Sequence, residues 1–127
     1  IVMVDNCYGE FTQTIEPSEV GADMVVGSLI KNPGGGLAQT GGYIAGDKKY
    51  VDLVFNRLTA PSIGSEVSSY AYGYQYFYQG LFLAPHVVSQ AIKGTLLFSY
   101  VLSELGYETS PKPNCLPGDI ILSIKFN

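Results

Sequence analysis

One lysine, Lys31, lies where an apolar run at residues 24–26 gives way to three consecutive glycines at residues 34–36. At the end of a buried strand, loss of water disfavours a charged amine. We therefore expect the pKa of Lys31 to be lowered and its amine to be a usable nucleophile. Glycines carry no Cβ, so this loop could approach a bulky or phosphorylated ligand closely. The same residues suit a solvated lysine in a flexible turn equally well, so the interpretation depends on what lies nearby.

A carboxylate stands at a comparable place upstream, where the apolar run at residues 1–4 ends in Asp5. A short apolar run bounded by polar residues predicts a strand buried on both faces, as in a parallel sheet. Ligands of open α/β sheets bind at the carboxyl ends of such strands, where we expect Asp5 to meet Ser28 and Lys31. Taken alone, Asp5 would more simply cap a turn at the end of the strand.

A lysine, a carboxylate, a hydroxyl and a glycine loop are together the groups that a pyridoxal phosphate site requires. Lys31 would form the Schiff base, and Asp5 would keep the pyridine nitrogen protonated so that the ring accepts electrons. Ser28 and the backbone N–H groups of the loop would hold the phosphate. The pattern therefore predicts pyridoxal phosphate chemistry centred on Lys31.

Several segments also resemble a known enzyme family. Residues 4–6 (VDN) and 21–31 (GADMVVGSLIK) look like the core of fold-type I pyridoxal phosphate enzymes, and within them the cystathionine and methionine lyase group. Over longer segments the sequence is similar to the methionine gamma-lyase-like branch often labelled aluminium-resistance protein. The resemblance covers most of the chain, through residues 5–11 (DNCYGEF), 31–38 (KNPGGGLA), 57–61 (RLTAP) and 79–86 (QGLFLAPH). One departure is Asn32, because an aromatic residue usually follows the lysine in the broader group.

The resemblance implies a fold. The chain would be an excerpt of a longer subunit, a partial three-layer α/β/α sandwich of the aspartate aminotransferase-like large domain with a mostly parallel sheet. Residues 1–110 would belong to the pyridoxal phosphate-binding large domain. Residues 111–127 would form the linker and the first strand of the smaller C-terminal domain.

The resemblance also implies an activity, that of a pyridoxal phosphate-dependent carbon–sulfur lyase acting on a sulfur-containing amino acid of the cystathionine or methionine type. Lys31 would be the catalytic residue. Residues implied to bind the cofactor are Asp5, Asn6, Ser28, Lys31, Gly35 and Gly36. Fold-type I enzymes place their active sites at a subunit interface, so a homodimer or homotetramer is expected.

Other functions remain open from the residues. The same cofactor supports amino-group exchange, so an aminotransferase is one alternative. A noncatalytic phosphate- or nucleotide-binding module is another, although Lys31 precedes the glycines and no Gly-Lys-Ser/Thr sequence follows them, as a P-loop requires. A third is a structural or interaction fragment with an acidic surface.

Composition excludes several classes of partner. With a net charge of −4, a pI near 4.7 and seven Lys and Arg residues, the chain is not expected to bind nucleic acid. Cys7 and Cys115 are too few and too far apart for a disulfide framework or a zinc site, so we expect no metal and reduced thiols in a cytoplasmic protein. The longest apolar stretches are broken by Gly80, Pro85 and His86. None reaches the roughly 18 residues of a membrane span, and no membrane association is expected.

Periodicity gives a coarse order of elements. Strands are predicted at residues 1–6, 24–29, 42–46 and 119–126, and a helix capped by Asp47 is predicted to end near Leu58. Alternating tyrosines at residues 70–78 fit a strand or a helix, and the resemblance favours a helix. Pro85 is predicted to open a second helix that ends near Leu105. His86, the one histidine, has no companion ligand and is expected to be structural.

Overall fold

The computed structural model of the chain describes residues 1–67 and 70–126. These residues form an α/β structure with one small mixed sheet, a two-stranded ribbon and two helices. Short 3-10 turns occur at Pro17–Val20 and Asn32–Gly34. The strands are β1 (Met3–Asp5), β2 (Met24–Ser28), β3 (Gly42–Gly46), β4 (Glu108–Ser110) and β5 (Ser123–Lys125), and the helices are α1 (Lys48–Leu58) and α2 (Gln75–Glu104).

The sheet has the order β1-β2-β3, with β2 in the centre. β1 pairs with β2 in parallel, with Asp5 opposite Val26, so both strands end at the same edge. β3 pairs with β2 antiparallel, with Ser28 opposite Gly42. The described sheet is therefore mixed rather than mostly parallel. The chain between β2 and β3 contains only a 3-10 turn and reverses the direction of the strand.

Within the described residues, the first strand is not buried on both faces as the sequence predicted. Met3 is 61% exposed and Val4 is only partly buried, whereas Val25 in the central strand is 5% exposed. β1 pairs on one side only, because it lies at the edge of the sheet. The apolar run at residues 1–4 thus predicted the strand correctly, but the strand is less buried than the run suggested.

Helix α2 begins ten residues before the proline that was predicted to open it. Pro85 lies inside the helix, where its ring removes one backbone hydrogen bond. The predicted end is correct, since the helix stops at Glu104 and Gly106 follows with a φ of 90°. Of the five tyrosines, Tyr70 and Tyr72 precede the helix and Tyr74 is its N-cap, so the helical interpretation is confirmed only for Tyr76 and Tyr78.

The remaining predicted elements are close to the observed ones. β2 and β3 occur within one residue of their predicted bounds, and α1 follows Asp47 and ends at Leu58. The strand predicted at residues 119–126 is shorter, and β5 pairs antiparallel with β4. His86 is exposed on α2. The division into two domains and the three-layer arrangement stay predictions.

Helix α2 also bears on the expectation of no membrane association. By length and composition alone it could cross a membrane. The absence of membrane association stays a prediction. The glycine and proline do not break the helix. Core helices of soluble proteins pass the same test, and one stripe of α2 is buried in this fold.

That buried stripe begins with small residues. Gly80 and Ala84 face the Asn32–Gly34 turn, and a Cβ on Gly80 would overlap the carbonyl oxygen of Gly34. A Cβ on Gly35 would likewise overlap the carbonyl oxygen of Gly80. Turn and helix are thus in backbone contact at this point.

The second half of the stripe carries hydroxyl groups. Ser99, fully buried, donates to the carbonyl oxygen of Pro111 at 2.7 Å and lies 3.0 Å from the Thr109 hydroxyl. Thr95 donates to the carbonyl oxygen of Ile120 at 3.0 Å, and Ser103 also lies 3.0 Å from Thr109. These bonds hold the chain after α2 against the helix.

The contact between turn and helix predicts opposite effects for two glycines of α2. Gly80→Ala should lower the free energy of unfolding by about 1–3 kcal/mol, because backbone must move to admit the methyl group. Gly94→Ala should raise it by roughly 0.5–1 kcal/mol, since the added Cβ meets nothing within 4 Å and alanine favours the helix. Urea unfolding followed by circular dichroism measures both. Equal stability of the two variants would contradict the close contact.

Candidate active site at the ends of two parallel strands

The site begins with the last residues of the paired parallel strands. Asp5 ends β1 and Ser28 ends β2, so their positions at one sheet edge are confirmed. The Asn6 N–H donates to the carbonyl oxygen of Val26 at 2.9 Å, which continues the ladder one residue beyond β1. The parallel pairing thereby brings a carboxylate and a hydroxyl to neighbouring strand ends.

Lys31 lies just beyond β2, where the chain turns toward the glycines. Its N–H donates to the carbonyl oxygen of Ser28 at 3.3 Å, and the Asn32–Gly34 turn follows at once. The Lys31 Nζ lies 4.5 Å from the centre of the Tyr8 ring, close enough for a cation–π contact. The loop after β1 thus reaches over to the lysine that follows β2.

The charge state of Asp5 is set mainly by Cys7. The thiol and backbone N–H of Cys7 lower the pKa of the Asp5 carboxyl; burial opposes this, and the Lys31 charge adds the smallest lowering effect. The Cys7 N–H lies 3.1 Å from Asp5 Oδ1. Asp5 is therefore held in its ionised form.

The expectation that the pKa of Lys31 is lowered is wrong. Partial burial does lower it, but the contacts with Cys7 and Tyr8 outweigh burial, so the pKa lies above the usual lysine value. Lys31 is only half-buried, and the side chains of Cys7 and Tyr8 stabilise its charged form.

Beside Lys31 lies a cavity of about 380 Å³. Its volume falls within the range of small-molecule sites. One side belongs to the strand-end loops and the other to α2 and the chain that follows β4. Its lining residues are Tyr8, Ile30, Lys31, Asn32, Val87, Val88, Ala91 and Ile120.

Three of the residues expected to bind a cofactor are placed differently. The Asn6 side chain donates to Glu16 Oε2 at 3.1 Å. Gly35 is buried against α2, which gives it a packing reason to lack a Cβ. Gly36, with a φ of 78°, borders open space. Their roles in binding stay predictions, whereas Asp5 and Lys31 are brought together.

A second link joins the two strand-end loops. The buried Asn32 side chain donates from Nδ2 to the Glu10 carbonyl oxygen at 3.0 Å. Glu10, 5% exposed, accepts a 2.9 Å hydrogen bond from the Tyr43 hydroxyl. Burial and this bond raise the pKa of Tyr43 well above its ordinary value, so the phenol stays a donor. The residue after Lys31 is thereby fixed to the loop after Asp5.

Sequence reasoning missed Tyr8 and underrated Cys7. Tyr8 adopts a φ of 74°, unusual for a residue other than glycine, and such conformations cluster at functional sites. Cys7 and Tyr8 follow Asp5 by two and three residues, and this position in the sequence could have indicated that both lie near the site.

The chemistry of these groups fits pyridoxal phosphate. An ionised carboxylate, Asp5, suits the cofactor's ring nitrogen, and the Lys31 amine borders a cavity of suitable size. Ser28 at the end of β2 offers a hydroxyl for the phosphate. Among the described residues, no group of three or more His, Cys, Asp or Glu side chains is placed to hold a metal ion.

Comparison with solved structures places this arrangement among known proteins. A carbon–sulfur lyase involved in aluminium resistance from Clostridium novyi is 53% identical and superposes with a TM-score of 0.95 over all of this chain and 30% of that one. A Clostridium acetobutylicum protein named for aluminium resistance is 51% identical, with a TM-score of 0.96 and the same coverage.

The Bacillus subtilis protein YnbB is 51% identical over 127 residues, which are all of this chain and 30% of that protein. The chain therefore spans about a third of the length of these relatives. A family model for methionine gamma-lyase matches residues 1–127. The chain belongs to the methionine gamma-lyase family.

Proposed function

We propose that the whole protein is a pyridoxal phosphate-dependent carbon–sulfur lyase acting on a sulfur-containing amino acid, with Lys31 holding the cofactor. The observation that carries the proposal is that Lys31, three residues beyond the end of β2, lies near enough to Asp5 at the end of the parallel β1 for its charge to lower the pKa of that carboxyl. The reaction named for the Clostridium novyi relative supports the class of chemistry.

Each polar group has a distinct task in this proposal. Bound pyridoxal phosphate supplies an electron sink for the bond broken at the substrate Cα. The Asp5 carboxylate, kept ionised by Cys7 and Lys31, stabilises a proton on the ring nitrogen. The Ser28 hydroxyl donates to the phosphate.

Lys31 has a second task once substrate is bound. Its amine takes the proton from Cα and returns one to the leaving part of the substrate. The Tyr8 ring, 4.5 Å from Nζ, limits the directions that the amine can take.

The setting of the site is part of the proposal. We expect the small sheet to continue into a three-layer sandwich, with residues 111–127 leading into a smaller domain. Phe82 is 84% exposed and Leu97 61% exposed on α2, which supports cover by further chain or by another subunit. A cytoplasmic homodimer or homotetramer is the expected assembly.

Lys31 can be tested by trapping the cofactor. Borohydride reduction of the whole protein should leave a pyridoxyl group on Lys31, located by mass spectrometry, and Lys31→Ala should abolish it. Lys93→Ala is the matched control, because Lys93 is exposed on α2 and does not line the cavity beside Lys31. An adduct on Lys48, Lys49 or Lys93 in the unsubstituted protein would exclude the assignment.

Asp5→Asn tests the carboxylate. The variant should retain cofactor, seen by its absorbance, while kcat falls by about 10²–10³ because stabilisation of the developing charge is lost. Asp52→Asn, which removes an exposed carboxylate paired with Lys48 on α1, should leave kcat unchanged. Full turnover by Asp5→Asn would rule out its role.

The reaction type is decided by the need for a second keto acid. A lyase should release 2-oxo acid, ammonia and thiol continuously from cystathionine, methionine or cysteine-like substrates without any acceptor. Colorimetric assay of keto acid and thiol measures this directly. Turnover that requires an added keto acid would identify an aminotransferase instead.

A further inference from the structure

The cavity beside Lys31 has one apolar wall, which consists of Val87, Val88, Ala91 and Ile120. The first three come from the middle of α2, where Val88 is 1% exposed and Val87 is 39% exposed. Among the described side chains that line this cavity, Lys31 is the one charged group.

Two hydroxyl groups hold the segment that carries Ile120. Thr95, 7% exposed on α2, donates to the Ile120 carbonyl oxygen at 3.0 Å. The Thr12 hydroxyl lies 3.0 Å from the Gly118 carbonyl oxygen and 2.6 Å from that of Gly9, sharing its proton between them. The segment is thus fixed both to the helix and to the loop after β1.

We propose that Ile120 is a specificity-determining residue for the part of the substrate beyond its sulfur atom, and that Thr95 is its positioning residue. This inference rests on the lyase function proposed above. Asp5 and Ser28 supply the polar groups for the cofactor at the strand ends. Neither of them lines the cavity beside Lys31, and its apolar wall provides no partner for a phosphate or a ring nitrogen.

Such a wall discriminates by charge. Lys31, the one charged group of the described lining, would be engaged with the cofactor, so a terminal carboxylate would lose water against the wall without gaining a partner. An uncharged alkyl group gains from burial there. The preferred substrates are therefore amino acids with an uncharged S-alkyl group.

Two substrates of similar length test the wall in the whole protein, S-ethyl-L-cysteine and S-carboxymethyl-L-cysteine. If the wild type acts only at the γ carbon, methionine and S-carboxymethyl-homocysteine replace them. Wild-type kcat/KM should favour the uncharged substrate by about tenfold or more. Ile120→Lys should reduce that ratio by about tenfold, because the new cation pairs with the carboxylate.

Ile121→Lys is the matched control. Ile121 is the next residue, is 42% exposed and lines a different cavity. Its substitution should leave the ratio of kcat/KM values within about twofold of wild type, a change too small for a lost pocket contact. A ratio unchanged by Ile120→Lys, or changed equally by both variants, would overturn the inference and leave the lyase function standing.

Thr95→Val serves if Ile120→Lys does not fold. It should raise KM for the uncharged substrate by about three- to tenfold with kcat nearly unchanged, as expected when only a binding contact is displaced. Ser103→Ala, which removes a hydroxyl that contacts Thr109 instead, should leave KM unchanged. An unchanged KM in Thr95→Val overturns its positioning role, and no wild-type turnover of any sulfur amino acid overturns the proposed function as well.

Discussion

The placement of Lys31 depends on a contact between two backbones. Gly80 of α2 and the turn that follows Lys31 approach so closely that a Cβ on either side would overlap a carbonyl oxygen. Interiors at this density transmit displacement, so the helix cannot shift without moving the turn. The missing Cβ of Gly35 therefore allows packing against α2, whereas a Cβ on Gly34 would overlap the carbonyl oxygen of Leu29, and Gly36 borders open space. The close fit at Gly34 and Gly35 fixes the turn that follows Lys31.

Hydrogen bonds then join the two strand ends that the sheet brings together. Parallel pairing sets Asp5 beside the end of β2, but it does not determine where the following loops go. The bond from Asn32 to the Glu10 backbone does so, with Glu10 in turn held by Tyr43 of β3. Asn32, the residue that departs from the broader lyase group, thus has a structural task in this chain.

Helix α2 joins the site to the rest of the chain along one buried stripe. Its small residues meet the glycine turn, its middle forms the apolar wall, and its hydroxyl groups bind the chain from Thr109 to Ile120. The side chains along the stripe thus change from very small ones, to a branched apolar one, to ones that carry a hydroxyl group. Pro85 interrupts one hydrogen bond without ending the helix, since the remaining contacts hold both halves.

The sequence by itself determined the local elements and the residues with chemical potential. β2, β3, α1 and the end of α2 follow from apolar periodicity and from glycines, which act over a few neighbours. The sequence motifs around Asp5 and Lys31 also indicated the family, which the match over residues 1–127 confirms. These elements and motifs could be recognised from the sequence because each depends on a short stretch of chain.

Only the tertiary structure decided the rest. Burial of β1, the direction of β3 and the start of α2 depend on which distant segments cover them. The raised pKa of Lys31 depends on Cys7 and Tyr8, which belong to another strand-end loop. Gly35 meets α2 because a helix that starts 40 residues later packs there. Electrostatic and packing partners far apart in sequence leave no periodic signal, so local patterns could name Lys31 but not its surroundings.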